Sequence, residues 1–244
     1  MQIDFVKVPY TTGPNMIRNV GPVFNQHPSQ DIIRLKKQEL EKFNKDLWAQ
    51  QPDLEKIIEK AAQHCNVYSD QIVDLALRLE EDVAVMHQGK LAAICFCFPS
   101  SFIPSERVGL HLSDIHKPVA DGHQLVKSSS SIARVMCEQP SFRRWVWTIT
   151  NNPNLSNHPL TKLSSIPSSI DDLYFRVETQ TTAAVDENTS LFFVKVDVVP
   201  LREVWCRQIS ESLDSMSDAV LTYKNLHHIK ELLKTYRSNQ HYKH

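Results

Sequence analysis

The sequence predicts an α+β fold in which an antiparallel five-stranded sheet is flanked by N- and C-terminal helices. Apolar residues recur at helical spacing towards both ends of the chain, while period-two alternation is confined to its middle. The strands of the middle are joined mostly by short or hairpin-like links, which favours an antiparallel sheet over βαβ units. Residues 1–28 carry Pro9, Pro14, Pro22 and Pro28 without periodicity and read as an extended arm. Ser29 suits the N-cap of a first helix with Ile33, Leu40, Phe43 and Leu47 inward and the charged run Arg34 to Lys42 as its solvated face. A second helix follows Gln51-Pro52, from about Asp53 to His64, and Ser69 caps a third with Ile72, Leu75, Ala76 and Leu79 inward.

The middle opens with a hairpin, Val83 to His87 and Leu91 to Phe98, around a Gln88-Gly89-Lys90 turn. Further strands are expected at Arg144 to Thr150, Leu173 to Thr181 and Leu191 to Val198, the last two joined through Asp186-Glu187-Asn188. The connection from Pro99 to Phe142 is unusually long, and connections above about 15 residues are often functional. Within it, Leu125, Ile132 and Met136 predict a helix from about Gly122 to Cys137, whereas Pro99 to Asp121 reads as irregular. Two C-terminal helices are expected, Leu201 to Leu213 and Ser217 to Tyr236, broken at Asp214 to Ser217, with a frayed tail from Asn239 to His244. The chain divides into an arm and helices over 1–68, a core over 69–200 and C-terminal helices over 201–244, together one structural unit.

Composition removes several function classes. The 244 residues hold 27 basic and 28 acidic side chains, so there is no basic stripe to neutralise phosphates and no nucleic-acid partner is expected. No run approaches the roughly 20 apolar residues of a membrane span, and Met1 to Tyr10 lacks the features of a signal peptide, which reads as cytoplasmic with no membrane partner. Five glycines, at 13, 21, 89, 109 and 122, cannot supply a GxGxxG turn or a P-loop. Any reducing power must therefore arrive from another chain. Gly89, Gly109 and Gly122 also bracket the segment around His116. Cys95 and Cys97 share one face of a strand and read as core thiols rather than half a metal site, since no second ligand pair exists. Hydrolase signatures such as G-x-S-x-G and H-E-x-x-H are absent.

Two features carry the candidate chemistry. Alternation puts Tyr174, Arg176, Glu178 and Gln180 on one face of a strand and Phe175, Val177, Thr179 and Thr181 on the other. The next strand separates Lys195 and Asp197 from Phe192, Val194, Val196 and Val198. The polar row is either a solvated face or the wall of a ligand pocket. Among 11 histidines, His116 stands inside the long connection, between Leu112-Ser113-Asp114-Ile115 and Pro118, where an ordinary hydrogen-bonding role is the default.

An ordered series of segments carries a resemblance. It comprises Cys97-Phe98-Pro99-Ser100-Ser101, Glu106-Arg107-Val108-Gly109, Leu112 to Val119 and Trp147-Thr148-Ile149 ahead of Asn152-Pro153-Asn154-Leu155. Leu173 to Thr181 and Ala219 to Leu233 complete it. From about residue 70 to 236, and more loosely from 30, the chain resembles the haem-dependent oxidative N-demethylase alpha-subunit-like family. The resemblance implies a PAS-like domain holding haem b between the sheet and the long connection. It implies His116 as the axial iron ligand, with Arg107 and Trp147 as further cofactor-binding residues, and Arg176, Glu178 and Gln180 as catalytic groups. The implied chemistry is a monooxygenase-type oxidative N-demethylation of a dimethylamine-like secondary amine by O2. Electrons come from NADPH through separate reductase subunits carrying flavin and a [2Fe–2S] cluster. The alternative is a non-catalytic haem or small-ligand sensor of the same fold. Thr179 and Lys195 stand where the family pattern has arginine, and Thr182 where it has leucine. Arginine's planar fork has no equivalent in threonine or lysine, so an altered substrate, an altered propionate contact or lost activity would each fit these changes.

Overall fold

The computed structural model describes residues 2–138, 141–161 and 166–240. Its centre is one antiparallel sheet of seven strands rather than five: β1 (Ile17–Arg18), β2 (Trp48–Gln50), β3 (Asp82–His87), β4 (Lys90–Cys95), β5 (Phe142–Thr150), β6 (Tyr174–Ala184) and β7 (Thr189–Pro200). Their spatial order is β1-β5-β6-β7-β3-β4-β2. The five expected strands form the interior. The two additions are two- and three-residue edge strands, too short to show any period in sequence, which cover β5 and β4 respectively. The β3–β4 turn uses Gln88 and Gly89 at φ 49° and 74°, the pair of positive values that a tight hairpin turn requires.

The first helix, α1 (Gln30–Phe43), is capped as expected, with the Ile32 N–H donating to Ser29 Oγ at 3.2 Å. Asn44 at φ 39° ends it before Leu47. Its charged run is not all solvated. Lys36 is 0% exposed, and its Nζ donates to the carbonyls of Ala76 (2.9 Å), Leu79 (3.0 Å) and Glu81 (2.6 Å) while standing 3.7 Å from Asp82 Oδ1. The other Asp82 oxygen accepts the Phe98 N–H at 2.8 Å. Burial pushes the Asp82 carboxyl up, with Lys36 opposing.

Next come α2 (Glu55–His64) and α3 (Ile72–Ala76). Ser69 is not the cap of α3; its hydroxyl accepts from the Gln71 N–H and bonds Asp74, and Gln71 is the N-cap. The long connection contains the short helix α4 (Leu112–His116), so the stretch read as irregular is partly helical, and then α5 (His123–Met136) as expected. A side chain at Gly122, which opens α5, would bring Cβ to 2.7 Å from the Val119 carbonyl oxygen. The C-terminal region forms four helices instead of two: α6 (Leu201–Val204), α7 (Arg207–Asp214), α8 (Asp218–Tyr223) and α9 (His227–Gln240). Extended backbone at Trp205 and Cys206 and the positive φ of Asn225 supply the extra breaks. Of the expected frayed tail, Asn239 and Gln240 close α9, and 241–244 lie outside the described residues.

One face of the sheet packs Val83, Val85 and Phe193 against α2 and α3, and Phe175, Trp147 and Ile149 against the C-terminal helices through Leu213, Leu226 and Leu233. α4 and α5 cover the other face with Ile115, Ile132 and Met136. Among the described residues, no helix is long and apolar enough to cross a membrane. Removing one partner of a buried ion pair strands the other, so Lys36→Met is expected to lower unfolding free energy by about 3–5 kcal/mol in urea titration. A loss below about 1 kcal/mol would contradict this account of Lys36.

Candidate functional site

The register of the central strands builds the site. Arg176, Glu178 and Gln180 of β6 lie opposite Thr148, Val146 and Arg144 of β5, and opposite Val198, Val196 and Val194 of β7. One face thus carries a polar row between a strand bearing a cation and a strand of valines. It is not a freely solvated face: Glu178 and Gln180 are half-buried and Arg176 is buried. Arg176 is 2% exposed, roofed by the start of the long connection.

The guanidinium of Arg176 is spent on the chain itself. Its Nε donates to Ser100 Oγ (3.0 Å), its Nη2 to the carbonyls of Phe98 (2.9 Å) and Pro99 (3.3 Å), and its Nη1 to the carbonyl of Leu155. Two backbone bonds between Asn157 and the 99–101 segment complete this junction. Ser100 Oγ passes the connection on by donating to one oxygen of Glu178, whose other oxygen accepts from Gln180 Nε2 at 2.8 Å. Arg176, Ser100, Glu178 and Gln180 form one hydrogen-bonded chain along the sheet.

His116 closes α4 on the covering side. Its Nδ1 is buried without a hydrogen-bond partner, and burial pushes its pKa down to about 4, with the charge of Arg144 adding to the effect. The imidazole is therefore neutral at neutral pH, the form that can ligate a metal. His158 is the instructive contrast. It is buried too and its Nε2 likewise lacks a hydrogen bond, but it stacks on Phe43 with centroids 3.8 Å apart, accepts the Leu160 N–H at Nδ1, and has the Asp46 carboxylate 3.5 Å from Nε2 as an electrostatic neighbour.

Arg144 faces His116 from β5. Its Nε is buried without a partner, and the guanidinium forms no hydrogen bond or ion pair with any described residue. Burial pulls its pKa down, with Glu178 and Tyr10 opposing. Arg107 ends the 3-10 turn Pro104–Arg107 and acts on the Tyr223 phenol, which burial and Glu178 push up and Arg107 pulls down. Trp147 is different. It points from the opposite face of β5, edge-on to Tyr10 (5.8 Å) and tilted against Phe175 (5.4 Å), within the core beneath the C-terminal helices. The structure therefore gathers His116, Arg176, Glu178 and Gln180, sets Arg107 beside Tyr223, and keeps Trp147 behind the sheet.

The departures from the family pattern also find their places. Thr179 and Lys195 are direct cross-strand partners on the face away from His116, where Lys195 stands 4.0 Å from Glu80. They do not border the polar row. Thr182 lies at the end of that row, and its hydroxyl accepts the Phe142 N–H at 3.1 Å. Sequence reasoning missed Ser100, Arg144, Tyr10 and Tyr223. Only the β5–β6 register, which sets Arg144 opposite Gln180, distinguishes it from its neighbour Arg143.

A bare metal ion needs about three or four protein ligands, and among the described residues no three His, Cys, Asp or Glu converge to hold one. Cys95 and Cys97 are buried with sulfurs 4.0 Å apart, and the Cys97 thiol is pushed well up by its bond to Cys95 and by burial. Haem iron arrives already held by the porphyrin and needs only an axial side chain. A single neutral imidazole with an orphaned buried nitrogen fits that requirement.

The depressed His116 value makes a stability prediction. The unfolded chain takes up the proton near 6.5 and the folded chain only near 4, so stability is lost as pH falls through that window. Urea titrations of ligand-free protein should show a loss on the order of 2–3 kcal/mol between pH 7 and 4 that His116→Gln lacks. Parallel pH curves for the two proteins would contradict it.

No curated protein matches the chain. The model of the haem-dependent oxidative N-demethylase, alpha subunit-like family matches residues 34–234, most of the sequence and every element of the site just described except Tyr10. The chain belongs to the haem-dependent oxidative N-demethylase alpha-subunit-like family.

Proposed function

We propose that this chain is a PAS-like haem-binding oxygenase subunit that removes a methyl group from a small secondary amine, with haem b between the sheet and α4–α5 and His116 as axial ligand. The observation that carries the reading is the neutral, half-buried imidazole of His116, its Nδ1 without a partner, facing a polar row on the sheet. Haem, when bound, supplies reductive activation of O2, so that the methyl carbon leaves as formaldehyde and one oxygen atom as water.

The chain's own residues supply the setting. Glu178, fixed by Ser100 and Gln180, offers an oxygen to the N–H of the bound amine and holds it in one orientation. Val194, Val196 and Val198 present an apolar wall suited to a porphyrin and to a methyl group. Arg176 acts by position, keeping residues 98–100 on the sheet and water out. Arg107 approaches the site from its turn beside Tyr223 and is the further cofactor contact. Trp147 supports β5 from behind. Glycine poverty is consistent with electrons reaching the site from NADPH through a separate reductase carrying flavin and [2Fe–2S], and the family's description as an alpha subunit supports such a partner.

One observation favours the rival reading of a non-catalytic haem or small-ligand module: both Glu178 oxygens and the whole Arg176 fork are already engaged within the chain. An absorption spectrum of protein from haem-supplied cells should show a Soret band that His116→Ala abolishes or shifts. Absence of the band sinks both haem readings, and an unchanged spectrum in the variant rejects His116. With NADPH, a reductase and a panel of small N-methylated secondary amines that includes dimethylamine and N-methylglycine, formaldehyde release from any of them supports the enzyme, and its absence with every one from haem-loaded protein supports the sensor.

A further inference from the structure

We infer that Arg144 is a carboxylate receptor within this site, and that together with Glu178 it equips the site for a zwitterion, a small N-methylated amino acid, rather than for a simple alkylamine. The inference rests on the proposed function for the location of the ligand. Arg144 and Glu178 are diagonal neighbours on one face of β5 and β6, since Arg144 pairs with Gln180 and Glu178 with Val146. Opposite charges so placed ordinarily close into an ion pair. Here they do not. Both oxygens of Glu178 are drawn to Ser100 and Gln180, and the Arg144 guanidinium has no hydrogen bond or ion pair among the described residues, with Nε buried.

Arg144 is half-buried and Glu178 acts on its charge, but no carboxylate is hydrogen-bonded to it, and a partly desolvated guanidinium left in that state favours a ligand that supplies the hydrogen-bonded charge. The guanidinium fork suits a carboxylate, which can accept two parallel N–H bonds. A second orphan, Nδ1 of His116, converges on the same space from α4. Two buried polar groups from separate elements thus lack partners at one place, beside a glutamate able to receive an ammonium. An α-amino acid carries carboxylate and ammonium a single carbon apart, and an N-methyl group on its nitrogen makes it the secondary amine that the proposed reaction requires. A haem propionate offers Arg144 the same carboxylate chemistry, and the two sources separate experimentally.

In the test, calorimetric titrations of protein purified from haem-supplied cells use N-methylglycine, acetate and dimethylamine. Binding of N-methylglycine, with acetate weaker and dimethylamine weaker still, and its loss by on the order of tenfold to a hundredfold in Arg144→Gln, identifies the substrate carboxylate as the occupant. If the three titrants do not bind but haem affinity, read from Soret titration, falls similarly in Arg144→Gln, the carboxylate is a propionate; the receptor role stands and the amino-acid assignment is overturned. If neither binding changes, the receptor role itself is overturned. Arg144→Met guards against misfolding: removal of an unpartnered buried charge should leave the melting temperature of ligand-free protein unchanged or raised. A marked fall would make Arg144 structural and overturn the inference. Absence of haem binding in every variant would refute the proposed function, while the N-methylglycine arm would still decide the role of Arg144.

Discussion

The site depends on the hydrogen-bonded fork of Arg176. A buried guanidinium is a strong organiser because each of its donors must find an acceptor, and each acceptor it loses leaves a desolvated group costing about 1–3 kcal/mol. Arg176 meets this demand with Phe98, Pro99 and Leu155 carbonyls and Ser100 Oγ, drawing two distant stretches of chain onto β6. The roof of the site is therefore attached to its floor by one side chain. Everything that follows Ser100, including α4 and His116, starts from that attachment.

A second buried cation reaches the same junction from α1. Lys36 of α1 gathers three carbonyls and approaches Asp82, Asp82 accepts the Phe98 N–H, and the Phe98 carbonyl accepts from Arg176. The path continues through Ser100 to Glu178 and Gln180. A polar network so nearly closed specifies one arrangement of the strands and the connection, since each partly satisfied alternative leaves groups unpaired. Against that background Arg144 and His116 stand out among the buried polar groups without a hydrogen bond because the charge of Arg144 acts on His116 across the site, where the chain is complementary to something other than itself.

Much of this was legible in the sequence, and the failures have physical causes. Alternation sorted the residues from Tyr174 to Thr181 in β6 and the assigned residues between Phe192 and Val198 in β7 to the correct faces, because period two survives whatever covers the sheet. Whether the Arg176 face was wet or covered could not be read, since its cover comes from residues nearly 80 positions away. Lys36 looked solvated because an isolated pattern cannot foresee three converging carbonyls. α4 is too short to display a helical period. The polar row was found through alternation and His116 was assigned as a ligand through ordered resemblance, whereas Arg144 needed the strand register. The register also sets Thr179 and Lys195 off the site, so these two departures lose their bearing on ligand contacts, while Thr182 ends the polar row.

The dependence of the roof on Arg176 is open to direct measurement by hydrogen exchange of Arg176→Met against the unaltered chain. The account predicts faster exchange from Phe98 through His116 with β3, β4 and β7 protected as before, because the clamp acts on the connection and not on the sheet core. Unchanged protection from Phe98 through His116 would contradict it.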